Sequence, residues 1–195
     1  MIKIKNLRHS DITGRSMIEM LGVLAIVGVL SVGGIAGYSK AMQRFRVSKT
    51  LDHVQMLTLG IRTFFASSPS YEGLDDDLVS GANIAPPDMV LGDGSAGSPY
   101  SLKSAFNGTV TVSSSSPYDT FDLTFSNLSD SICAELAMVD FGLTRQGAGM
   151  TSTKINSSTA FGYDTGMTDP ATLTAATAYS QCNQGEANVL VFSFN

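Results

Sequence analysis

The 195-residue chain has little of the chemistry that enzymes use. It contains two histidines, two cysteines and no tryptophan. His9 lies in the first segment, and His53 falls on a helical pattern beside Asp52. No Ser/His/Asp or Cys/His set can be assembled from that histidine, and the two cysteines have no histidine nearby with which to hold a metal. We therefore expect no catalytic residue, no metal site and no cofactor.

Two local patterns that suggest ligand binding are weak. The segment 92–97 has the glycine spacing of a dinucleotide-binding loop, but neither a preceding strand nor a following helix is predicted around it, so a surface loop is favoured. Asp75, Asp76 and Asp77 are consecutive, and their side chains should point in different directions, unlike the spaced ligands of calcium loops. We expect these carboxylates to form a solvated acidic turn.

Charge and proline are both absent from a long N-terminal stretch. Between Met20 and Ser39 the phenol of Tyr38 is the one ionisable side chain, and no proline occurs from residue 15 to Ser68. About 20 residues of this composition are long enough to cross a bilayer. Glu19 lies directly before the stretch, where a carboxylate costs up to about 2.5–3.5 kcal/mol at the bilayer centre and less near an edge. We therefore expect Glu19 to have a charged partner.

Basic residues are scarce in the C-terminal part of the chain. Residues 66–195 hold 14 acidic and three basic residues, a net charge of −11, whereas residues 15–65 hold six basic and two acidic residues, a net charge of +4. An acidic C-terminal part argues against nucleic-acid binding by that part. The asymmetry fits two explanations: ordinary solvated surfaces, or a basic stalk that packs against the acidic heads of neighbouring subunits.

The residues before the apolar stretch carry a recognisable signal. A basic leader with Lys3, Lys5 and Arg8 ends in Gly14, and Glu19 follows four residues after Arg15. This arrangement resembles the class III signal of type IV pilins and of the related type II secretion pseudopilins. The resemblance implies that a prepilin peptidase cuts between Gly14 and Arg15, that the new N-terminus at Arg15 is methylated, and that Glu19 neutralises the terminal amine of a neighbouring subunit during assembly. Most family members have an apolar residue after the cut, so Arg15 is a departure that adds positive charge beside Glu19.

Two ordinary interpretations of the N-terminus compete with this one. A conventional secretory signal would be cut near Gly34-Ile35-Ala36, but its apolar region usually has 7–15 residues, fewer than this stretch has. A plain membrane anchor explains the length but neither Gly14 nor Glu19.

The apolar spacing continues beyond the membrane-length stretch with the 3.6-residue period of an amphipathic helix. We predict one helix from about Ser16 to Ala66, ended by Ser67-Ser68-Pro69-Ser70. Three regions follow: residues 1–14 as the leader, 15–67 as the N-terminal helix, and 68–195 as the globular head. The stripe of the second half of the helix consists of Val47, Leu51, Val54, Leu57, Ile61 and Phe64/Phe65.

The head is predicted to contain an antiparallel sheet. Strand patterns cover 108–113, 121–125 and 188–194, short helices are indicated near 74–79 and over 131–140, and residues 144–180 show no clear period. Because an exported protein enters the oxidising periplasm, we expect a disulfide between Cys133 and Cys182 rather than two free thiols. The predicted fold is therefore α+β: a long N-terminal α-helix packed on an antiparallel β-sheet, with a disulfide-tied C-terminal region. The large head, the non-aromatic residue after the cut and the placement of the two cysteines resemble the type IVb branch of the pilins.

The resemblance implies a structural subunit that polymerises through its N-terminal helix into an extracellular helical filament, with no enzymatic activity. Its implied partners are further copies of the chain, a prepilin peptidase, the inner-membrane assembly machinery and, for the precursor, the inner membrane itself. A pseudopilin of a type II secretion system shares the signal and the helix and stays as the alternative. A membrane-anchored periplasmic enzyme or binding domain is a third possibility, and it would need a convergent polar site that the sequence does not show.

Overall fold

The computed structural model describes residues 17–114, 117–139, 149–158, 160–162 and 173–195. The chain divides into two compact units, one ending at Gln43 and the other running from Arg44 to Asn195. A single helix, α1 (Met17–Phe64), contributes to both units. Its 48 residues confirm the predicted continuous helix, which passes through Gly33 and Gly34 without interruption.

In the second unit, α1 buries one face in the core of the head. Val47, Val54, Leu57 and Ile61 are buried at spacings of three, four and seven residues, as the predicted stripe requires. At the C-terminal end of α1 the buried stripe contains fewer residues than predicted, because Phe64 remains 50% exposed. Leu51 and Phe65 are half-buried against the core, and the polar residues Thr50, His53 and Thr58 are also buried on α1.

The head contains a seven-stranded sheet in which every pairing is antiparallel. Its spatial order is β1-β2-β3-β4-β7-β5-β6. The strands are β1 (Val90–Leu91), β2 (Ser101–Lys103), β3 (Thr109–Ser114), β4 (Phe121–Leu128), β5 (Met150–Ile155), β6 (Phe161–Gly162) and β7 (Asn188–Phe194).

The last strand in sequence lies in the interior of the sheet. β7 pairs with β4 on one side and β5 on the other, so that Leu123 and Thr153 both face Phe192 in register. Buried and half-buried residues alternate along all of β7, as expected for a strand with one face on the core. Phe192 and Phe194 on β7 are fully buried beside Phe121 and Phe125 of β4. The prediction of a final strand over 188–194 is confirmed.

Within its described residues the head also contains three short helices: α2 (Asp76–Gly81), α3 (Asp130–Ala137) and α4 (Ala175–Gln181). Asp75 caps α2 by accepting a hydrogen bond from the Leu78 N–H at 2.8 Å, and Thr174 caps α4 by accepting one from the Thr177 N–H at 3.1 Å. α3 confirms the predicted helix near Cys133 but ends at Ala137, earlier than predicted. α4, β5 and β6 arise within the stretch that showed no clear period.

Candidate assembly surface

The first unit presents an apolar helix surface that nothing in the described chain covers. Every described residue from Met17 to Ala41 is exposed, including large side chains such as Ile18, Leu24 and Leu30. Apolar patches of this kind mark surfaces that meet a membrane or another protein. α1 contains a segment long and apolar enough to cross a bilayer, judged by length and composition.

Glu19 introduces a carboxylate into this apolar surface. It lies in the first turn of α1, where the helix dipole favours negative charge. Its side chain is exposed and makes no hydrogen bond or ion pair with the residues that the structure describes. A partner for this carboxylate would therefore have to come from outside the described residues. Gly14 and Arg15, the predicted cleavage and methylation site, lie outside the described residues.

No packing contact with the described part of the chain requires the glycines of the apolar segment. A Cβ atom built on Gly22, Gly28, Gly33, Gly34 or Gly37 meets no described atom within 4 Å. Their small size leaves space beside the helix axis, which allows a second helix to approach closely.

The polar side chains around His53 connect α1 to Asp88 in the head. Asp88 accepts a hydrogen bond from Lys49 and lies 3.1 Å from Nε2 of His53, which is buried on α1. The hydrogen bond from Lys49 lowers the pKa of Asp88, and the charge of His53 acts in the same direction. Among the described residues no group of three or more His, Cys, Asp or Glu side chains could hold a metal ion.

The acidic turn at the start of α2 is less solvated than predicted. Asp75 caps the helix, and Asp76 accepts a hydrogen bond from the Val112 N–H of β3 at 2.6 Å. Burial raises the pKa of Asp76; the bond from Val112 opposes this effect, and the charges of Asp75 and Asp77 add to it. Asp76 therefore attaches α2 to the sheet, and the expectation of a solvated carboxylate was wrong for this half-buried side chain, whereas Asp75 and Asp77 are exposed.

The family comparison follows the boundaries of the second unit closely. The family model described as PilS N terminal matches residues 44–195, which is the whole second unit. The chain belongs to this family of type IV pilins. The resemblance based on Gly14, Glu19 and the helix is thereby confirmed at the level of the family, by a match that includes neither Gly14 nor Glu19.

Curated relatives and solved structures agree with the assignment of this chain to the pilins. Two curated relatives are 24% identical over 98% of this chain and 97% of their own length; each is named the major structural subunit of bundle-forming pilus, one from Escherichia coli O111:H- and one from Escherichia coli O127:H6 (strain E2348/69 / EPEC). The crystal structure of a type IV b pilin from Salmonella typhi matches with a TM-score of 0.54 at 21% identity, over 76% of this chain and 99% of the other. TcpA, a type IV pilin from Vibrio cholerae El Tor biotype, matches with a TM-score of 0.50 at 12% identity, over 77% of this chain and 99% of the other. These structures share the fold of the head.

The disulfide of this pilin is present as predicted. Cys133 on α3 and Cys182 at the end of α4 are joined, with their Cα atoms 5.8 Å apart and 49 positions apart in sequence. Both cysteines are buried. The bond links α3 to the segment that leads into β7, the interior strand of the sheet.

Sequence reasoning missed a second attachment of the pilin's C-terminal region. Asn188, the first residue of β7, is fully buried, and its Nδ2 faces the oxygens of Leu128, Asp130 and Gly185 at 2.7–3.0 Å. Its Oδ1 accepts hydrogen bonds from Asn156 Nδ2 and the Gln184 N–H. An asparagine at the start of a strand ordinarily indicates a turn, so the sequence carries no signal for a buried role.

A third attachment joins the end of α1 to the end of the chain. Arg62, in the last turn of α1, donates from Nε and Nη2 to the backbone oxygen of Asn195 at 2.9 and 2.7 Å. Its Nη2 also donates to the Gly149 oxygen at 3.3 Å. Gly149 has a φ of +69°, which favours glycine, and a Cβ there would lie 2.0 Å from Nη2, so a larger residue would displace this guanidinium.

Proposed function

We propose that this pilin is the structural subunit of a type IV pilus of the type IVb kind, and that it polymerises through its N-terminal helix into an extracellular filament. The observation that carries the proposal is the exposed apolar helix with Glu19 in its first turn, attached to a head of pilin fold. The curated relatives, named as major structural subunits of a pilus, support a role in building the filament. A structural role requires no catalytic activity.

Processing at the predicted junction prepares the helix for assembly. A prepilin peptidase cuts between Gly14 and Arg15 and methylates the new amine of Arg15. The precursor is held in the inner membrane by the apolar part of α1, and the assembly machinery there removes subunits from the bilayer into the filament. In the filament the exposed apolar surface passes from contact with lipid to contact with other helices.

Glu19 is proposed to set the register of each added subunit. A carboxylate in an apolar helix bundle is strongly disfavoured without a partner, and the terminal amine of the neighbouring subunit supplies the opposite charge. Arg15 of that neighbour offers additional donors to the same carboxylate. Subunits placed one turn out of register would leave both charges unpaired, so the pair favours one arrangement.

Isolation of surface filaments tests this function. Filaments sheared from cells that express the chain are imaged by electron microscopy, and their subunit is identified by mass spectrometry. We expect long filaments whose principal component is this chain, starting at Arg15. Short periplasmic assemblies that appear only with a secretion system would instead indicate the pseudopilin alternative, and a chain that stays in the membrane would indicate a plain anchor.

A further inference from the structure

A small cavity lies directly beyond the end of α1, in the head. It has a volume of about 180 Å³ and is lined by Phe65, Pro69, Tyr71, Tyr118 and Asp119 together with two serines. Pockets for small-molecule ligands usually measure about 300–1,000 Å³, whereas an engineered cavity of about 150 Å³ accepts benzene. The volume therefore fits one side chain better than a free metabolite.

The walls of this pocket are held in place by specific contacts. The Tyr71 N–H donates to the Tyr118 oxygen at 2.8 Å, and the Ser114 hydroxyl donates to the Tyr71 oxygen at 2.6 Å. The Tyr71 ring contacts those of Phe65 and Phe121, with centroids 5.5 and 4.9 Å away. Tyr118 has a φ of +65°, a conformation that is uncommon for a bulky residue. The bond from Tyr71 fixes the backbone of Tyr118 in this conformation at the edge of the pocket.

The chemistry of the lining favours a cation. Aromatic faces attract ammonium and guanidinium groups, and Asp119 places an exposed carboxylate at the same pocket. A guanidinium is the better match, because it is planar, stacks on aromatic rings and binds a carboxylate through two parallel hydrogen bonds. The expected occupant is an arginine side chain.

The chain itself offers this arginine at the opposite end of the head. Of the arginines that the structure describes, Arg62 is bound to Asn195 and Gly149, whereas the exposed side chains of Arg44 and Arg46 have no hydrogen-bond or ion-pair partner among the described residues. Arg44 begins the part of α1 that belongs to the second unit, and the pocket lies just past Phe64 at the other end of that part. At 1.5 Å per residue, about 30 Å of helix separates them.

We propose that an arginine of the Arg44–Arg46 segment of one subunit enters the pocket at Asp119 of the next subunit. Each subunit then presents the cation at one end of its head and the receptor at the other. Such a contact joins two different surfaces of identical subunits. When the rotation from one subunit to the next does not close a ring, the contact repeats as an open helical filament. This inference rests on the proposed function and names the residues through which heads recognise one another.

Cysteine cross-linking in intact filaments tests the contact directly. Ser70→Cys places a thiol in the pocket lining with little change in shape, and it is combined with Arg44→Cys or Arg46→Cys in the full-length chain. The native cysteines are joined and buried, so they do not compete. Mild oxidation should produce a ladder of covalent multimers with at least one pair, whereas each single variant should give dimers at most. Ser70→Cys with Lys154→Cys, an exposed position on β5, is the matched control and should give no ladder.

Charge exchange supplies a second measurement. Asp119→Arg, and separately Arg44→Asp with Arg46→Asp, should each reduce the yield of sheared filaments, and all three changes together should restore it. Normal filament yields from both partial charge variants would overturn the proposed contact, and so would the absence of a ladder from both cysteine pairs. In either case, filaments built from the wild-type chain would leave the proposed function intact. If the wild-type chain builds no filament, the function itself fails, which is a separate result.

Discussion

Asn156 donates a hydrogen bond from Nδ2 to Oδ1 of Asn188 at 2.9 Å, and the two side chains together connect the ends of several elements of the head. Asn156 follows β5 with a φ of +51°; its Nδ2 also donates to the Gln181 oxygen, and its Oδ1 accepts from the Val189 N–H. Asn188 reaches the end of β4 and the start of α3. The pair therefore supports the same C-terminal region that the disulfide ties.

Replacement of Asn188 by alanine should destabilise the head. The change leaves the buried Leu128 oxygen without its partner and removes four part-buried hydrogen bonds, and a buried unsatisfied group costs about 1–3 kcal/mol. Denaturant unfolding of the pilin, followed by circular dichroism, should show a lower midpoint for Asn188→Ala. Asn183→Ala, at an exposed position close by in sequence, is the matched control and should behave like the wild type. Equal midpoints for Asn188→Ala and the wild type would contradict the structural role of the pair.

Loss of the disulfide should have a larger effect on the same region. Removing a native disulfide from a small secreted domain typically costs about 2–5 kcal/mol, since the unfolded chain gains freedom. Cys133→Ser with Cys182→Ser should therefore lower the unfolding midpoint and reduce the amount of pilin at the cell surface. Modification of both native cysteines by a thiol reagent in the denatured, unreduced protein would show that the bond does not form.

Asp76 should make stability depend on pH in a defined direction. Because burial raises its pKa above the ordinary value of 3.8, the folded state binds the proton more tightly than the unfolded state. The stability gained from that proton is present below pH 3.8 and is lost as the pH rises through the raised folded pKa. Asp76→Asn keeps an acceptor for Val112 and removes the buried charge, so its stability relative to the wild type should increase between acidic and neutral pH.

Asp76→Ala separates the charge from the hydrogen bond. This variant also removes the charge but leaves the Val112 N–H without its acceptor, so it should be less stable than Asp76→Asn at every pH. Unfolding free energies of the three proteins at pH 3 and pH 7 make the comparison. A constant difference between Asp76→Asn and the wild type across this range would show that Asp76 does not titrate differently on folding.

Processing at Gly14 should define the mature N-terminus. We expect N-terminal sequencing of the filament subunit to return Arg-Ser-Met-Ile-Glu, the residues from Arg15 to Glu19. Gly14→Val should block the cut, since it adds bulk at the scissile junction, and the precursor should accumulate in the membrane. A mature chain that begins at Gly37 would instead indicate ordinary signal peptidase.

The elements that the sequence predicted well are those whose residues repeat with a clear period. The apolar stripe of α1 and the alternation in β7 each follow from one buried face, and both were found within about two residues of the prediction. The short strands β1 and β2 are two and three residues long, too short to show an alternation. β1 depends on pairing with β2, and β2 in turn on pairing with β3, and the sequence alone does not identify these partners.

The residues of the assembly surface and of the head also differ in how well the sequence indicates them. Glu19 stands out because a charge beside an apolar run has a cost, and Cys133 and Cys182 are the one possible intrachain pair. Asn188, Asp76 and the pocket beside Tyr118 depend on residues that are far apart in sequence and meet only when the sheet forms. No local pattern marks such contacts.

The most direct measurement of the central claim is the yield and length of filaments from Glu19 variants. Removing one partner of a desolvated ion pair typically costs about 3–5 kcal/mol, because the other charge is left unpaired. Glu19→Ala should therefore abolish or shorten filaments while the head folds, the disulfide forms and the precursor inserts, and insertion should become easier because a charge leaves the apolar segment. Glu19→Gln keeps the shape without the charge and should be intermediate or defective. Electron microscopy of sheared fractions should show this order, and wild-type numbers and lengths of filaments from Glu19→Ala cells would contradict the account.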